Sequence, residues 1–264
     1  MQTKKLGVAY NVWDAEELLK GSIKAIRNCV DFIVVVYQEV SNFGEMNPDL
    51  APVLFDLVAD GLIDRLIKYE PRPGQKPQDI ETMKHQVGLD ICKLMECDYF
   101  LQLDSDEYYD EKQFRKAFDF IVKHEIDHTA VCINDYYKYP NVRLRQENNY
   151  YAPFISKIYP HTQYVLQGNT FCLMDPTRRL EIDIKDKKEI FPPDMITMEH
   201  YTYVRKDIRR KLRNSTAYDN YFDQLEKIAL YHDEYLPVRD ALLAGVELQY
   251  IPIEYAANKF NIKI

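Results

Sequence analysis

The sequence is poor in the residues that staple, loosen or anchor a chain. Cysteine occurs five times in 264 residues, at 29, 92, 97, 132 and 172, with no C-x-x-C pair. An odd, sparse set of this kind predicts reduced thiols rather than a disulfide framework. Eight glycines and thirteen prolines are too few for a collagen-like or low-complexity chain. No stretch approaches the roughly 20 apolar residues of a membrane span. The opening MQTKKLGVAYNVWDAEELL has no apolar run of signal-peptide length. The expectation is a soluble, cytoplasmic protein. Positive charge is also in deficit: 34 basic against 42 acidic residues give −8. That balance argues against a nucleic-acid partner.

What is present is enough for a core. Hydrophobic residues make up 46% of the chain and charged residues 29%, over a length that can bury a full domain. The 21 tyrosines fit core packing first, and stacking surfaces for sugars or bases second.

Periodicity predicts alternating strands and helices. Leu6–Tyr10 reads as a strand. Asp14 is placed as an N-cap with Glu17 completing a capping box, and Leu19, Ile23, Ile26 and Val30 follow at helical spacing. Phe32–Val36 is a β-branched run suited to a strand buried on both faces. Pro48–Ala59 predicts a helix ended by Gly61, and Ile63–Tyr69 a third strand. Ile80, Met83, Val87, Ile91 and Leu94 form another helical stripe before the strand Tyr99–Leu103. Phe114, Ala117, Phe118 and Ile121 mark a helix, and Thr129–Ile133 a strand. This β-α-β-α-β-α-β order predicts a mostly parallel central sheet flanked by helices, with ligands at the carboxyl ends of the strands. Residues 136–194 read as strands and long loops, and the chain after His200 as helical to about Tyr235. The expectation is one domain over 1–264: a ligand-binding half (1–110), a second half (111–200) and a helical C-terminal segment (201–264).

The strongest chemical signal is CDYFLQLDSDEYYDE, residues 97–111. An apolar strand runs directly into Asp104-Ser105-Asp106. Carboxylates at the end of a buried strand need a partner. Strand residues i and i+2 share a face, so Asp104 and Asp106 are placed to offer oxygens to a hard cation, Mn²⁺ or Mg²⁺. A calcium loop is excluded, because Tyr108, Tyr109 and Arg115 stand where a third ligand, the turn glycine and the bidentate Glu belong. Asp110 and Glu111 read as the cap of the following helix.

In these residues the chain resembles the nucleotide-sugar-dependent glycosyltransferases of the GT-A fold, in their family 2-like branch with a D-x-D motif. LGVAYNVWDAEELLKGSIKAIRNCVDFIVVV is similar to that family's first strand, helix and second strand. KHQVGLDICKLMECDYFLQLDSDEYY is similar to the helix and strand leading into the D-x-D. MEHYTYVRKDIRRKLRNSTA is similar to its later histidine segment. The resemblance implies that Asp104 and Asp106, with Ser105 between them, hold a divalent metal against the diphosphate of a nucleotide sugar. It makes His200 the third ligand. It places Tyr10, Asn11 and Val12 after the first strand, and Gln38 and Glu39 after the second, near the nucleoside, and Lys84 near the donor. The basic stripe Arg205, Lys206, Arg209, Arg210, Lys211, Arg213 supplies Arg205, Arg209 and Lys211 as candidates for the departing diphosphate. An inverting displacement needs a carboxylate base for the acceptor hydroxyl, on a glycan or glycoprotein. Asp135, Asp175 and Asp194 are the candidates, with Asp175 favoured by its distance before His200. The family's usual E-D pair is missing from the chain.

Three alternatives stand beside this reading. A sugar-phosphate nucleotidyltransferase needs a glycine-rich loop after the first strand, and AYNVWDAEE has none. A non-catalytic carbohydrate-binding protein has no use for the acidic pair. A glycosyltransferase of modified DNA bases would use the basic stripe as a phosphate contact.

Overall fold

The computed structural model describes residues 4–72, 74–145, 151–172, 175–216, 229–230, 232–233 and 253–264. The chain divides into two compact units, 1–133 with 150–198, and 134–149 with 199–264. The sequence also draws a line near 200, but it keeps 134–149 in the preceding half.

The first unit is a mixed α/β layer structure with a mostly parallel central sheet flanked by helices. Its elements in chain order are β1 (Leu6–Val12), α1 (Glu16–Ile26), β2 (Phe32–Tyr37), α2 (Leu50–Ala59), β3 (Arg65–Lys68), α3 (Pro77–Leu94), β4 (Tyr99–Asp104), β5 (Glu107–Tyr108) and α4 (Glu111–His124). There follow β6 (His128–Tyr137), which continues into the second unit, then β7 (Val142–Leu144) in the second unit, and β8 (Tyr151–Lys157) and β9 (Lys188–Phe191) in the first. Strands β3, β2, β1 and β4 run parallel in that spatial order. β8 joins β4 antiparallel, and β6 joins β8 antiparallel.

The central strands are apolar because both faces are covered. On one face Val8, Tyr10, Ile33, Val35, Leu101 and Leu103 pack with Leu19 and Ile23 of α1, Leu54 and Leu57 of α2, and Phe114 and Ile121 of α4. On the other, Ala9, Val34, Val36 and Phe100 pack with Leu89 and Cys92 of α3. Each Val, Leu, Ile or Phe among them contributes about 1.5–3 kcal/mol on burial. Gly88 lets α3 approach β1: a Cβ there would lie 2.5 Å from the Ala9 Cβ.

Three local expectations are corrected. Asp14 does not cap α1: the N-cap is Ala15, at φ 59, with no side-chain cap bond. On α3 the buried line is Ile80, Lys84, His85, Gly88, Leu89 and Cys92, while Met83 and Leu94 are exposed. Asp106 lies in a turn beyond the end of β4, so the shared-face argument that paired it with Asp104 does not apply. The α4 cap is as expected: Asp110 Oδ1 accepts from the backbone N–H of Lys112 and Gln113, each at 3.0 Å.

The second unit holds the end of β6, β7, the strand β10 (Thr197–Tyr203) from Glu199 onward, the short helix α5 (Ile208–Arg213) and β11 (Ile253–Tyr255). β7 pairs antiparallel with β6 and with β11. Tyr136 stacks on Tyr201 at 4.4 Å. The helix expected after His200 begins only at Ile208, because β10 runs on to Tyr203. It ends at Arg213, with 214–216 non-helical, so the helix expected to run unbroken to Tyr235 is interrupted there; most of 217–235 lies outside the described residues.

Candidate functional site

The alternation that makes the sheet also builds the site. On the α3 face the strands are apolar until their carboxyl ends, where polar side chains take over. Asn11 follows Ala9 on β1, and Gln102 and Asp104 follow Phe100 on β4. Gln38 lies one residue past β2. Asn11 is the register partner of Asp104, so these ends are level. The N-terminal half of α3 lies over them and offers Glu81, Lys84 and His85.

Glu81 is the hub. Its carboxylate accepts from Asn11 Nδ2 at 3.4 Å, Asn42 Nδ2 at 3.2 Å and Lys84 Nζ at 3.5 Å. Burial works to raise its pKa, but Lys84, His85 and the Asn42 amide outweigh it and hold the carboxyl at about 2. His85 donates from Nδ1 to the Thr177 carbonyl at 2.9 Å, since a carbonyl can only accept. Burial pushes its imidazole below the usual value, against the Glu81 carboxylate, so Nε2 carries a lone pair. Five buried polar atoms here have no hydrogen-bond partner among the described residues: Asn11 Oδ1, Gln38 Oε1, His85 Nε2, Gln102 Oε1 and Ser105 Oγ. Buried polar groups are rarely left so. All five lie around the carboxyl ends of the strands and the turn after β4.

Asp104 and Asp106 flank the turn that leaves β4. The Asp104 carboxyl is raised from its ordinary value: burial leads, Arg178 opposes it, and the Asp106 and Glu81 charges add to it. Arg178 was not singled out in the sequence. It is buried, with its Nη2 on Asp104 Oδ2, its Nη1 2.8 Å from Glu107 Oε1 and its Nε 3.4 Å from Asp175 Oδ2. Glu107 also accepts the Asp104 backbone N–H at 3.0 Å. One positive charge is thus shared among three carboxylates. The only local trace of this in the sequence is DPTR, an Asx-turn pattern; Asp175 Oδ1 does accept from Thr177 N at 2.8 Å and Oγ1 at 2.7 Å.

Other predicted residues fall elsewhere. Tyr10 and Val12 are fully buried core, with the Tyr10 hydroxyl 3.0 Å from Ser22 Oγ, so their side chains cannot line a ligand surface. Glu39 pairs with Lys68 at 2.7 Å. Asp194 is an exposed turn residue. In the second unit His200 Nδ1 lies 2.7 Å from Asp135 Oδ1, a carboxylate–imidazole pair that fixes the ring's orientation. Arg205 donates to the Tyr201 carbonyl at 3.2 Å, Arg209 pairs with Asp233 at 2.8 Å, and Lys211 sits 5.5 Å over the Tyr203 ring. The basic stripe therefore has partners of its own.

Among the described residues, no three His, Cys, Asp or Glu side chains gather into a group able to hold a metal ion. Asp104 ends β4 with its side chain 40% exposed, and Asp106, in the turn that follows, is 5% exposed. That donor set still fits Mg²⁺ or Mn²⁺, which are commonly held by one or two carboxylates with substrate phosphates completing the shell. No described helix is long and apolar enough to cross a membrane.

A scan of protein-family models gives no match, and neither does a search of curated proteins. Solved structures give partial matches. Residues 1–349 of S. aureus TarS align at 20% identity over 50% of this chain and 36% of that one, with a TM-score of 0.35. The mannosyltransferase PcManGT from Pyrobaculum calidifontis, in complex with GDP-Man and Mn²⁺, aligns at 12% identity over 53% and 37%, with a TM-score of 0.34. Glucosyl-3-phosphoglycerate synthase from Mycobacterium tuberculosis, in complex with Mn²⁺, UDP and glucosyl-3-phosphoglycerate, aligns at 14% identity over 50% and 44%, with a TM-score of 0.33. The chain spans less than half the length of each.

Proposed function

We propose that this protein is a metal-dependent glycosyltransferase that moves a sugar from a nucleotide-diphosphate sugar to a hydroxyl of a glycan or glycoprotein acceptor. The observation that carries the reading is the row of polar side chains at the carboxyl ends of β1, β2 and β4, ending in Asp104-Ser105-Asp106. Open parallel sheets bind their ligands there, and five unpartnered buried polar atoms point the same way.

Asn11, Gln38 and Gln102 offer amides to the nucleoside and ribose, and Ser105 a hydroxyl to the donor. Lys84, 2% exposed on α3, orders Glu81, which in turn orients Asn11 and Asn42. Asp104 and Asp106 are the residues that would hold Mn²⁺ or Mg²⁺, with substrate phosphates completing the shell. When bound, the cation supplies Lewis-acid stabilisation of the diphosphate leaving group. Asp175 is the proposed base for the acceptor hydroxyl, tied through Arg178 to Asp104, and it would make the displacement inverting.

The test is a panel of nucleotide sugars scored for thermal stabilisation and for Mn²⁺-dependent release of nucleoside diphosphate. The reading expects at least one donor to do both. A panel in which no sugar nucleotide binds the wild type removes it.

A further inference from the structure

Arg178 sits on the Asp104 carboxylate, the group that the proposed metal would also use. The guanidinium reaches Asp104 Oδ2 with Nη2 and both oxygens of Glu107 with Nη1, at 2.8 and 3.0 Å. It is held from behind as well. Asp175 accepts from Thr177 in an Asx-turn, Arg178 N donates to the Asp175 carbonyl at 3.2 Å, and the Thr177 carbonyl is fixed by His85. The arginine is therefore part of a strap docked on α3 and on the β4–β5 turn.

Its partners differ in accessibility. The Glu107 side chain is 5% exposed and that of Asp104 is 40% exposed. A cation arriving from solvent meets Asp104, and the Glu107 contact holds the guanidinium in place when the Asp104 contact is lost. A planar fork can give up one arm and keep the other.

We propose that Arg178 is the internal counter-ion of Asp104, occupying the carboxylate that a divalent cation must take and yielding it when the cation binds. This rests on the reading of Asp104 and Asp106 as metal ligands. It makes the strap 175–178 a gate on metal affinity. It also leaves the displaced Nη2 beside the metal, where it can donate to the diphosphate.

The experiment measures Mn²⁺ binding to the full chain without nucleotide, from the EPR signal of unbound Mn²⁺. A charge-assisted hydrogen bond lost to competition corresponds to about tenfold to a hundredfold in affinity. Arg178→Gln is expected to bind Mn²⁺ tighter than wild type by that factor, and the gain is expected to vanish on the Asp104→Asn background. Arg178→Lys, which keeps the buried charge without the fork, is expected to show a smaller gain and serves if the glutamine variant does not fold. Equal affinities in wild type and variants overturn the competition and leave the metal reading standing. No Mn²⁺ binding by any of them, with UDP or GDP added as well as without, overturns both.

Discussion

Asn11 and Asp104 are register partners across the parallel pair β1–β4, which sets the amide that meets Glu81 level with the first carboxylate of the acidic turn. The proposed donor site is centred on these strand ends. Asp106 lies in the turn beyond β4 and is 5% exposed. Asp106→Ala is expected to leave the far-UV circular dichroism spectrum unchanged while lowering Mn²⁺-dependent donor turnover by about a hundredfold or more, the scale for losing one group that stabilises the leaving charge. Turnover equal to wild type would remove the metal site from Asp106.

Glu107 is expected to behave oppositely. It is 4% exposed and accepts from Arg178 and from the Asp104 backbone. Removing Glu107 leaves Arg178 only the more exposed Asp104 and Asp175 and deprives the Asp104 N–H of its acceptor, so the cost should approach the about 3–5 kcal/mol of breaking a buried pair. Glu107→Ala should lower the urea midpoint by that amount of stability whether or not ligand is present. Glu107→Gln keeps an acceptor and should lose less. A Glu107→Ala protein as stable as wild type would show that Arg178 finds its compensation elsewhere.

Acid should weaken the α3 contact through Glu81. Its carboxyl is held at about 2 in the folded chain against an ordinary 4.5. A folded pKa below the unfolded one stabilises fully above the unfolded value, and the contribution is lost as pH falls toward the folded value. The stability gap between wild type and Glu81→Gln, from urea midpoints, should be constant above about pH 5 and shrink between about 4.5 and 2. A gap independent of pH over that range would mean that Glu81 has no depressed pKa.

The parts of this structure that sequence shows are those governed by local pattern. Phe32–Tyr37 and Tyr99–Asp104 announce themselves because strands buried on both faces must be continuously apolar, and Asp110 sits where an N-cap must sit. The failures are tertiary. Asp14 has the right chemistry for a cap, but Ala15 takes the left-handed conformation, α1 begins at the buried Glu16, and Asn47 donates to that side chain at 2.8 Å. Met83 and Leu94 fit a helical stripe, but α3 turns Lys84 and His85 inward because the strand ends it covers are polar. Arg178 reaches Glu107 across 71 residues, a separation over which no periodicity operates. Gln102, a polar residue inside an apolar strand, is the one local sign in the sequence that this face of β4 turns polar before its end.

The approach of α3 to β1 is the last relationship that can be tested by itself. A Cβ on Gly88 would come within 2.5 Å of the Ala9 Cβ. Ala9 is a short side chain on a central strand, so it cannot swing aside; the helix must move. Overpacking of this kind costs about 1–3 kcal/mol, while alanine in place of glycine inside a helix returns about 1 kcal/mol. Gly88→Ala should therefore be destabilised by a net amount up to about 2 kcal/mol. Because α3 carries Glu81, Lys84 and His85 over the strand ends, the same shift should weaken donor binding. Ala9→Gly opens the space from the other side, so the double variant should regain the single variant's loss of binding even where the second glycine costs stability of its own. Melting temperatures and donor titrations of the three proteins separate the two effects. A Gly88→Ala protein with unchanged donor affinity would place the donor's contacts away from α3.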